Sequence, residues 1–480
     1  MTDELALLDA TAQAALVQRG ELKPTELVEA AVRRAERIDP QLGAIIHPAF
    51  ERALDRAAQP GVADAPFAGV PFALKDIGGA EAGMPQHGGM RFLKDAGWVE
   101  TEDAYLTGRF RDAGLVSIGR TNTPELALLP TTEPEAYGPT RNPWNPAHSA
   151  GGSSGGAAAA VAAGIVPVAH ASDGGGSIRG PASMCGLVGL KPTRGRCSFG
   201  PALGERWSGL SCEFVVSRSV RDSARLLDFV SGPMPGDPYS AAPPPAPFAS
   251  ALDAPLAPLR IGFLASAVRD VPLDDACSRA VIDTVRALEA RGHRVEEAHP
   301  EPLDGTLHVG AYVGIVSANV ARALASWGEK VGRPVEANDV EPLTWALAER
   351  GRSLSAPDHL ANLEAIHRFG RDLAAWWESG FDLLVTPTQA QPPPELGYIS
   401  STPEEPVRAF VRAAPYGMFT LPFNLSGQPG LSLPGALNEK GLPVGVQLVA
   451  PAGREDLLLA VAGQLEQDRP WSDRLPALHA

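Results

Sequence analysis

Residues 151 to 182 read Gly151-Gly-Ser-Ser-Gly-Gly156, an alanine-rich run, and then Ser172-Asp-Gly-Gly-Gly-Ser-Ile-Arg-Gly-Pro-Ala182. The stretch holds neither a metal-ligand pattern nor a phosphate loop. Glycine costs conformational entropy, so two clusters of it flanking serines suggest main-chain N–H groups approaching something that a Cβ would keep away. Residues 157–163 favour helix and 165–171 favour strand. The chain can therefore fold back between Ser153 and Ser177 and bring the two hydroxyls together. A serine hydroxyl is a weak nucleophile without a base. Upstream, Gly69-Val-Pro-Phe-Ala-Leu-Lys-Asp76 is an apolar, strand-like run, and Lys75 near its end is the candidate base.

Working outward, 480 residues with 44% apolar and 20% charged side chains describe a globular chain able to bury a large core. That length predicts two or three domains or one large layered domain. The formal charge of −15, with no Lys/Arg-dense stretch, argues against a nucleic-acid partner. Cys185, Cys197, Cys212 and Cys277 form no C-x-x-C pair, which favours a reducing compartment. The acidic start lacks the cationic segment and apolar core of a signal peptide. Apolar stretches such as 157–171 are too short and too rich in alanine and glycine to span a membrane. The expectation is a cytoplasmic protein without a membrane partner. No His/acid cluster has metal-ligand spacing, so neither metal nor cofactor is expected.

Helical periodicity covers residues 4–19 and 24–38, with Pro24 where a first helical turn tolerates it. A helix over 105–113 and a strand over 115–119 begin a βαβ rhythm. Four prolines within 131–149 predict a loop without regular structure that runs over the site, with Tyr137 and Trp144 lining a pocket. The Pro/Ala-dense stretch 233–258 reads as a connector. Beyond it, strands are expected at 260–264, 293–297, 381–387 and 444–450, and helices at 274–291 and 455–466. Residues 306–378 read as a helical cap within a substrate-shaping region spanning 300–415, and 61–230 as the catalytic core.

The stretch from Gly151 to Ala182 resembles the amidase signature along its whole length. So do Gly69 to Asp76, Gly119-Arg-Thr-Asn-Thr-Pro-Glu125, Gly189-Leu-Lys-Pro-Thr193 and Leu421-Pro-Phe-Asn-Leu-Ser-Gly-Gln-Pro429. Within that family, Asp9-Ala-Thr-Ala-Gln13, Thr132-Glu-Pro-Glu-Ala-Tyr-Gly138 and Gly453-Arg-Glu-Asp-Leu-Leu458 look most like the 6-aminohexanoate cyclic dimer hydrolases. The resemblance implies a single domain over 1–480: an α/β/α sandwich around a large mixed sheet, with a helical cap. It also implies a Ser–cisSer–Lys triad, with Ser177 as nucleophile, Ser153 as the cis-serine and Lys75 as terminal base. The expected activity is an acyl-enzyme hydrolase of small linear or cyclic amides, extending to aryl amides, esters and carbamates, in a monomer or homodimer. The family usually carries one non-glycine residue at position 174, and a third glycine there is expected to loosen the loop.

The chemistry of the residues agrees. An ammonium cannot accept a proton, so Lys75 must rest neutral, which burial favours provided Asp76 points away. Gly174, Gly175 and Gly176 are the expected oxyanion-binding turn. Ser154 is a supporting residue, and Asp173 and Arg179 are expected to pair and hold the turn. Cys185, Cys197, His148 and His170 are expected to serve packing and structure. Gly151-Gly-Ser-Ser-Gly155 also satisfies G-x-S-x-G, but no hydrophobic strand precedes it, and no G-K-[ST] follows for a phosphate loop. The rival within the resemblance is the glutamine-hydrolysing A subunit of a tRNA-dependent amidotransferase, which works in an assembly. Pocket walls are expected from 131–144, 199–207, the 306–330 helix and 389–416.

Overall fold

The computed structural model describes residues 3–305 and 308–480. The strands in chain order are β1 (Ile45–Pro48), β2 (Pro71–Lys75), β3 (Val116–Thr121), β4 (Arg141–Asn142), β5 (Asn145–Ser149), β6 (Val168–Asp173) and β7 (Val188–Lys191). They continue as β8 (Cys212–Ser217), β9 (Arg260–Phe263), β10 (Arg294–Glu297), β11 (Leu383–Pro387), β12 (Gly430–Leu437) and β13 (Pro443–Val449). Among the described residues, eleven of these form one sheet in the order β1-β3-β2-β6-β8-β7-β12-β13-β11-β9-β10.

The sheet is mixed. β2 lies parallel to both β3 and β6, whereas β6 and β8, β7 and β12, and β12 and β13 pair antiparallel. β2, β6, β8 and β13 are buried at every position, as expected of central strands covered on both faces by helices. Because β2 and β6 run parallel, their C-terminal ends emerge together, and this sets Lys75 beside Ser172 and Asp173. Open α/β sheets place their chemistry at that edge.

The connector stretch 233–258 is not a free tether. Phe248 within it is buried, and the amides of Phe248 and Ala249 donate to Asp228 at 2.6 and 3.0 Å. The sheet continues across this stretch, β12 on β7. Helix Val309–Val331 packs on helices Pro342–Ser353 and Ala356–Ala375, but β11, inside the 300–415 segment, belongs to the sheet itself. Val309–Val331 is long and apolar enough by length and composition to cross a membrane, yet it packs on the other two helices and faces the site cavity. Residues 306 and 307 of the expected 306–330 helix lie outside the described residues.

Three local expectations are corrected. The span 4–19 is two helices, Glu4–Leu7 and Ala10–Gln18, because the Asp9 carboxylate accepts from the Ala12 amide and starts a new helix. The span 131–149 contains the hairpin β4–β5 despite its prolines. Strands β8 and β12 were not expected from periodicity. β8 is buried on both faces and so shows no alternation, and β12 carries Pro434 and Gly435 at an irregularity in its pairing with β13.

Candidate active site

Lys75 is fully buried, and its Nζ lies 2.7 Å from Ser153 Oγ, 2.9 Å from Ser154 Oγ and 2.9 Å from Ser172 Oγ. No carboxylate bonds to it among the described residues. The Ser154 hydroxyl donates to the Ser172 carbonyl at 3.3 Å, so toward Lys75 its oxygen accepts. A neutral amine has two N–H groups and one lone pair. Ser154 and Ser172 can take the two N–H groups, which leaves the lone pair for the Ser153 proton. Burial lowers the Lys75 pKa to about 7, with Glu213 opposing the shift and Arg206 adding to it. Asp76 does not contribute: its carboxylate accepts from the His87 and Gly89 amides at 3.0 and 3.2 Å. The Lys75 amide donates to Nδ1 of buried His170 at 3.3 Å, which ties that ring to the strand end.

The peptide bond Gly152–Ser153 is cis. Ser154 occupies the N-cap position of the buried helix Gly155–Ala162, yet its hydroxyl serves Lys75 and caps nothing. Thr132 Oγ1 donates to the Gly151 carbonyl at 2.9 Å and accepts from the Gly155 amide at 3.1 Å, fastening the segment from outside. Two glycines of this cluster are held close to neighbouring backbone. A Cβ on Gly152 would lie 2.4 Å from the Thr131 amide nitrogen, and one on Gly156 would lie 2.4 Å from the Asn122 nitrogen. They let protein backbones meet one another, while Gly152 also borders the cavity that holds Ser177.

In the second turn, Asp173 and Arg179 form a buried ion pair, with Arg179 Nη2 2.9 Å from Oδ1 and Nε 2.9 Å from Oδ2. The remaining guanidinium N–H groups reach the Thr420 carbonyl (2.9 Å), Gln447 Oε1 (2.7 Å) and Asn424 Oδ1 (2.7 Å). Asn424 Nδ2 returns to Asp173 Oδ1 at 2.9 Å. Burial alone would raise the Asp173 pKa, but the charge and hydrogen bonds of Arg179, with Asn424, outweigh it and hold the carboxyl below its ordinary range. Asp173 also accepts from the amides of Gly176 (2.7 Å) and Ile178 (3.1 Å), which shapes the glycine turn from within.

That last contact corrects the expected oxyanion donors. The Gly176 N–H is already taken by Asp173. The amides of Gly174, Gly175 and Ser177 donate to nothing within the chain among the described residues. The open donors are thus the first two glycines and Ser177 itself.

Ser177 is half-buried and sits on the wall of an apolar cavity of about 180 Å³, with Gly152, Gly175, Trp207, Tyr312 and Leu421 among its neighbours. The structure brings Lys75, Ser153, Ser154 and Ser172 into one hydrogen-bonded cluster. Ser177 makes no hydrogen bond to Ser153 in this conformation, among the described residues, and faces the cavity. The expected wall 131–144 is replaced by residues 127–130. Trp144 instead donates to the Cys185 carbonyl at 2.9 Å, and Tyr137 stacks on His87. All four cysteines are buried and unpaired.

Sequence reasoning missed Ser172, Glu213, Asn424 and Gln447. Glu213, Asn424 and Gln447 are polar residues in mostly apolar, buried segments, and that mismatch was the available signal; Ser172 stands beside His170 and Asp173 and gave no such contrast.

Comparison with known proteins places this site in a family. The family model described as Amidase matches residues 26–459. The chain is 43% identical over 478 residues to the 6-aminohexanoate-cyclic-dimer hydrolase of Paenarthrobacter ureafaciens, covering 98% of this chain and 96% of that one. A solved structure of 6-aminohexanoate cyclic dimer hydrolase complexed with substrate superposes with a TM-score of 0.96 at 42% identity, covering 99% of this chain and all of the other. A bacterial aryl acylamidase of the amidase signature family superposes with a TM-score of 0.88 at 26% identity over the full length of both chains. The chain belongs to the Amidase family and is an amide hydrolase.

Proposed function

We propose that the chain hydrolyses small neutral amides, linear or cyclic, of the ω-amino-acid type, through an acyl-enzyme on Ser177. The observation that carries this reading is a buried lysine amine bonded to three serine hydroxyls beside an apolar cavity with a fourth serine on its wall. Ser177 gives its proton to Ser153 Oγ as Ser153 passes its own to the Lys75 lone pair, and Ser177 Oγ attacks the carbonyl carbon. The tetrahedral oxygen takes the open amides of the glycine turn. Collapse breaks the C–N bond, and Ser153 returns a proton to the leaving nitrogen while Lys75 reprotonates Ser153. Water then repeats the sequence on the ester, releasing the acid and restoring Ser177.

The relatives that act on the cyclic dimer of 6-aminohexanoate, together with the apolar lining, support such substrates. Aryl amides, esters and carbamates pass through the same tetrahedral geometry and belong to the same proposal. The buried, unpaired cysteines fit a reducing, cytoplasmic setting, with a monomer or homodimer acting on a small molecule and no nucleic-acid or membrane partner.

The test is a panel of cyclic and linear 6-aminohexanoate dimers, 4-nitroanilides, 4-nitrophenyl esters and a carbamate, followed by mass spectrometry of the quenched enzyme. An acyl adduct on the peptide carrying Ser177 is expected. An adduct on another residue, or ammonia release from glutamine alone, would overturn the reading, the latter in favour of the amidotransferase subunit.

The base role has a pH signature. The neutral amine is the active form, so kcat/KM should rise with pH through about 7 and level off above it. The negative charge of Glu213 favours the ammonium form, so Glu213→Gln should move this limb to lower pH. Arg206 disfavours the ammonium, so Arg206→Gln should move it to higher pH. Limbs that shift in the same direction in both variants would exclude Lys75 as the titrating group.

A further inference from the structure

Trp207 stands between two cavities. On one side is the apolar space of about 180 Å³ that holds Ser177. On the other is a larger, more polar space of about 630 Å³, bordered by Gly78, Leu126, Glu213 and Trp327. Trp207 belongs to the wall of both. Its backbone and that of Ser208 are left-handed, with φ of +54° and +53°, a conformation uncommon for residues other than glycine. That backbone turns the indole inward over the glycine turn.

The ring is seated on Gly174. A Cβ built there would lie 2.7 Å from both Cε3 and Cζ3 of Trp207, closer than packed atoms approach. Unlike Gly176, at φ +135°, Gly174 lies outside the left-handed region, so its backbone accepts alanine and only the indole forbids it. The third glycine thus admits the tryptophan ring. Tyr312 meets the ring edge-on at 6.5 Å and closes the same wall.

We propose that Trp207, seated on Gly174, is the specificity gate of the site: with the indole down, Ser177 serves only amides that fit the smaller cavity. With the ring displaced, the two cavities join, and amides with a long or bulky arm reach the same nucleophile. The inference rests on the acyl-enzyme reading above and names what limits substrate size.

The test compares acetyl and decanoyl 4-nitroanilides in wild type, Trp207→Ala, Trp207→Phe, Gly174→Ala and the Gly174→Ala/Trp207→Ala double variant. Removing the ring, or displacing it with a Cβ, should raise the decanoyl-to-acetyl ratio of kcat/KM at least about tenfold, and Trp207→Phe should fall between. In the Trp207→Ala background, Gly174→Ala should add less than about twofold, because the atoms it would strike are gone. Should Trp207→Ala fail to fold, Gly174→Ala and Trp207→Phe carry the same comparison. A flat ratio across the variants, or a Gly174→Ala effect equal in both backgrounds, would overturn the gate. Fluorophosphonate labelling of Ser177 in each variant separates the cases. A labelled, active wild type with a flat ratio refutes the gate alone, whereas an unlabelled, inactive wild type refutes the hydrolase reading.

Discussion

Ser177→Ala is expected to lower amide turnover by about 10⁴- to 10⁶-fold and to abolish fluorophosphonate labelling. It should leave stability within about 1 kcal/mol of wild type. The reason for the second half is structural. The Ser177 hydroxyl makes no hydrogen bond within the chain among the described residues and faces a cavity, so its removal orphans no buried partner. Ser153→Ala should lose activity on a similar scale, because Ser153 Oγ is the hydroxyl nearest the Lys75 amine among the described residues, at 2.7 Å, and the Ser154 proton is committed to the Ser172 carbonyl. The double variant should be scarcely worse than either single one, since residues that act as a unit lose their contribution together. Losses that multiply, or a Ser177→Ala enzyme within tenfold of wild type, would place the nucleophile elsewhere. Thermal unfolding and single-turnover rates on a 4-nitroanilide measure both halves.

The candidate site was legible in the sequence because most of it lies in one stretch of chain. Gly151 to Ala182 carries both serines, the glycine turn and its ion pair within one loop-helix-strand-turn-helix segment, and Lys75 ends an unmistakable apolar run. Asp173 and Arg179, six positions apart, needed only a single turn to meet. What closes around them was not legible. Asn424 and Gln447 reach Arg179 from segments some 250 residues away in the chain, through pairings such as β7–β12 that no local periodicity encodes. Glycine was also ambiguous: Gly152 and Gly156 make room for Thr131 and Asn122 backbone, Gly174 makes room for an indole, and Gly151 and Gly176 adopt a positive φ. A missing side chain tells of a close approach without telling what approaches.

Strand assignment followed the same division. β2, β11 and β13 were found as apolar runs, whereas Glu213 interrupts the apolar run of β8, and Pro434 and Gly435 interrupt that of β12. The prolines of 131–149 predicted an irregular loop, but Thr131 binds Ser149, Thr132 binds the Gly151 carbonyl, and β4–β5 forms just before the Gly-Ser segment. Side-chain bonds between distant segments overrode local propensity there.

Arg179→Met is expected to cost about 3 to 5 kcal/mol at pH 7, the largest stability loss of any single change around the site. Met keeps much of the arginine's apolar volume, so the loss reports charge rather than a cavity. It leaves the Asp173 carboxylate fully buried with only Asn424 and backbone amides as partners, and it orphans Gln447 Oε1. The sign of the pH dependence identifies the cause. In wild type the Asp173 pKa is depressed, so its stabilising contribution is complete above the unfolded value of about 3.9 and fades as pH falls below it. Without Arg179, burial dominates and raises that pKa, so protonation relieves the variant as pH falls from 7 toward 4. The deficit relative to wild type should therefore shrink across that interval. Urea unfolding at pH 7 and pH 4.5 measures it. A deficit that stays constant between the two would mean that Arg179 acts through packing alone, and that the carboxylate holding the Gly176 and Ile178 amides does not need its counter-ion.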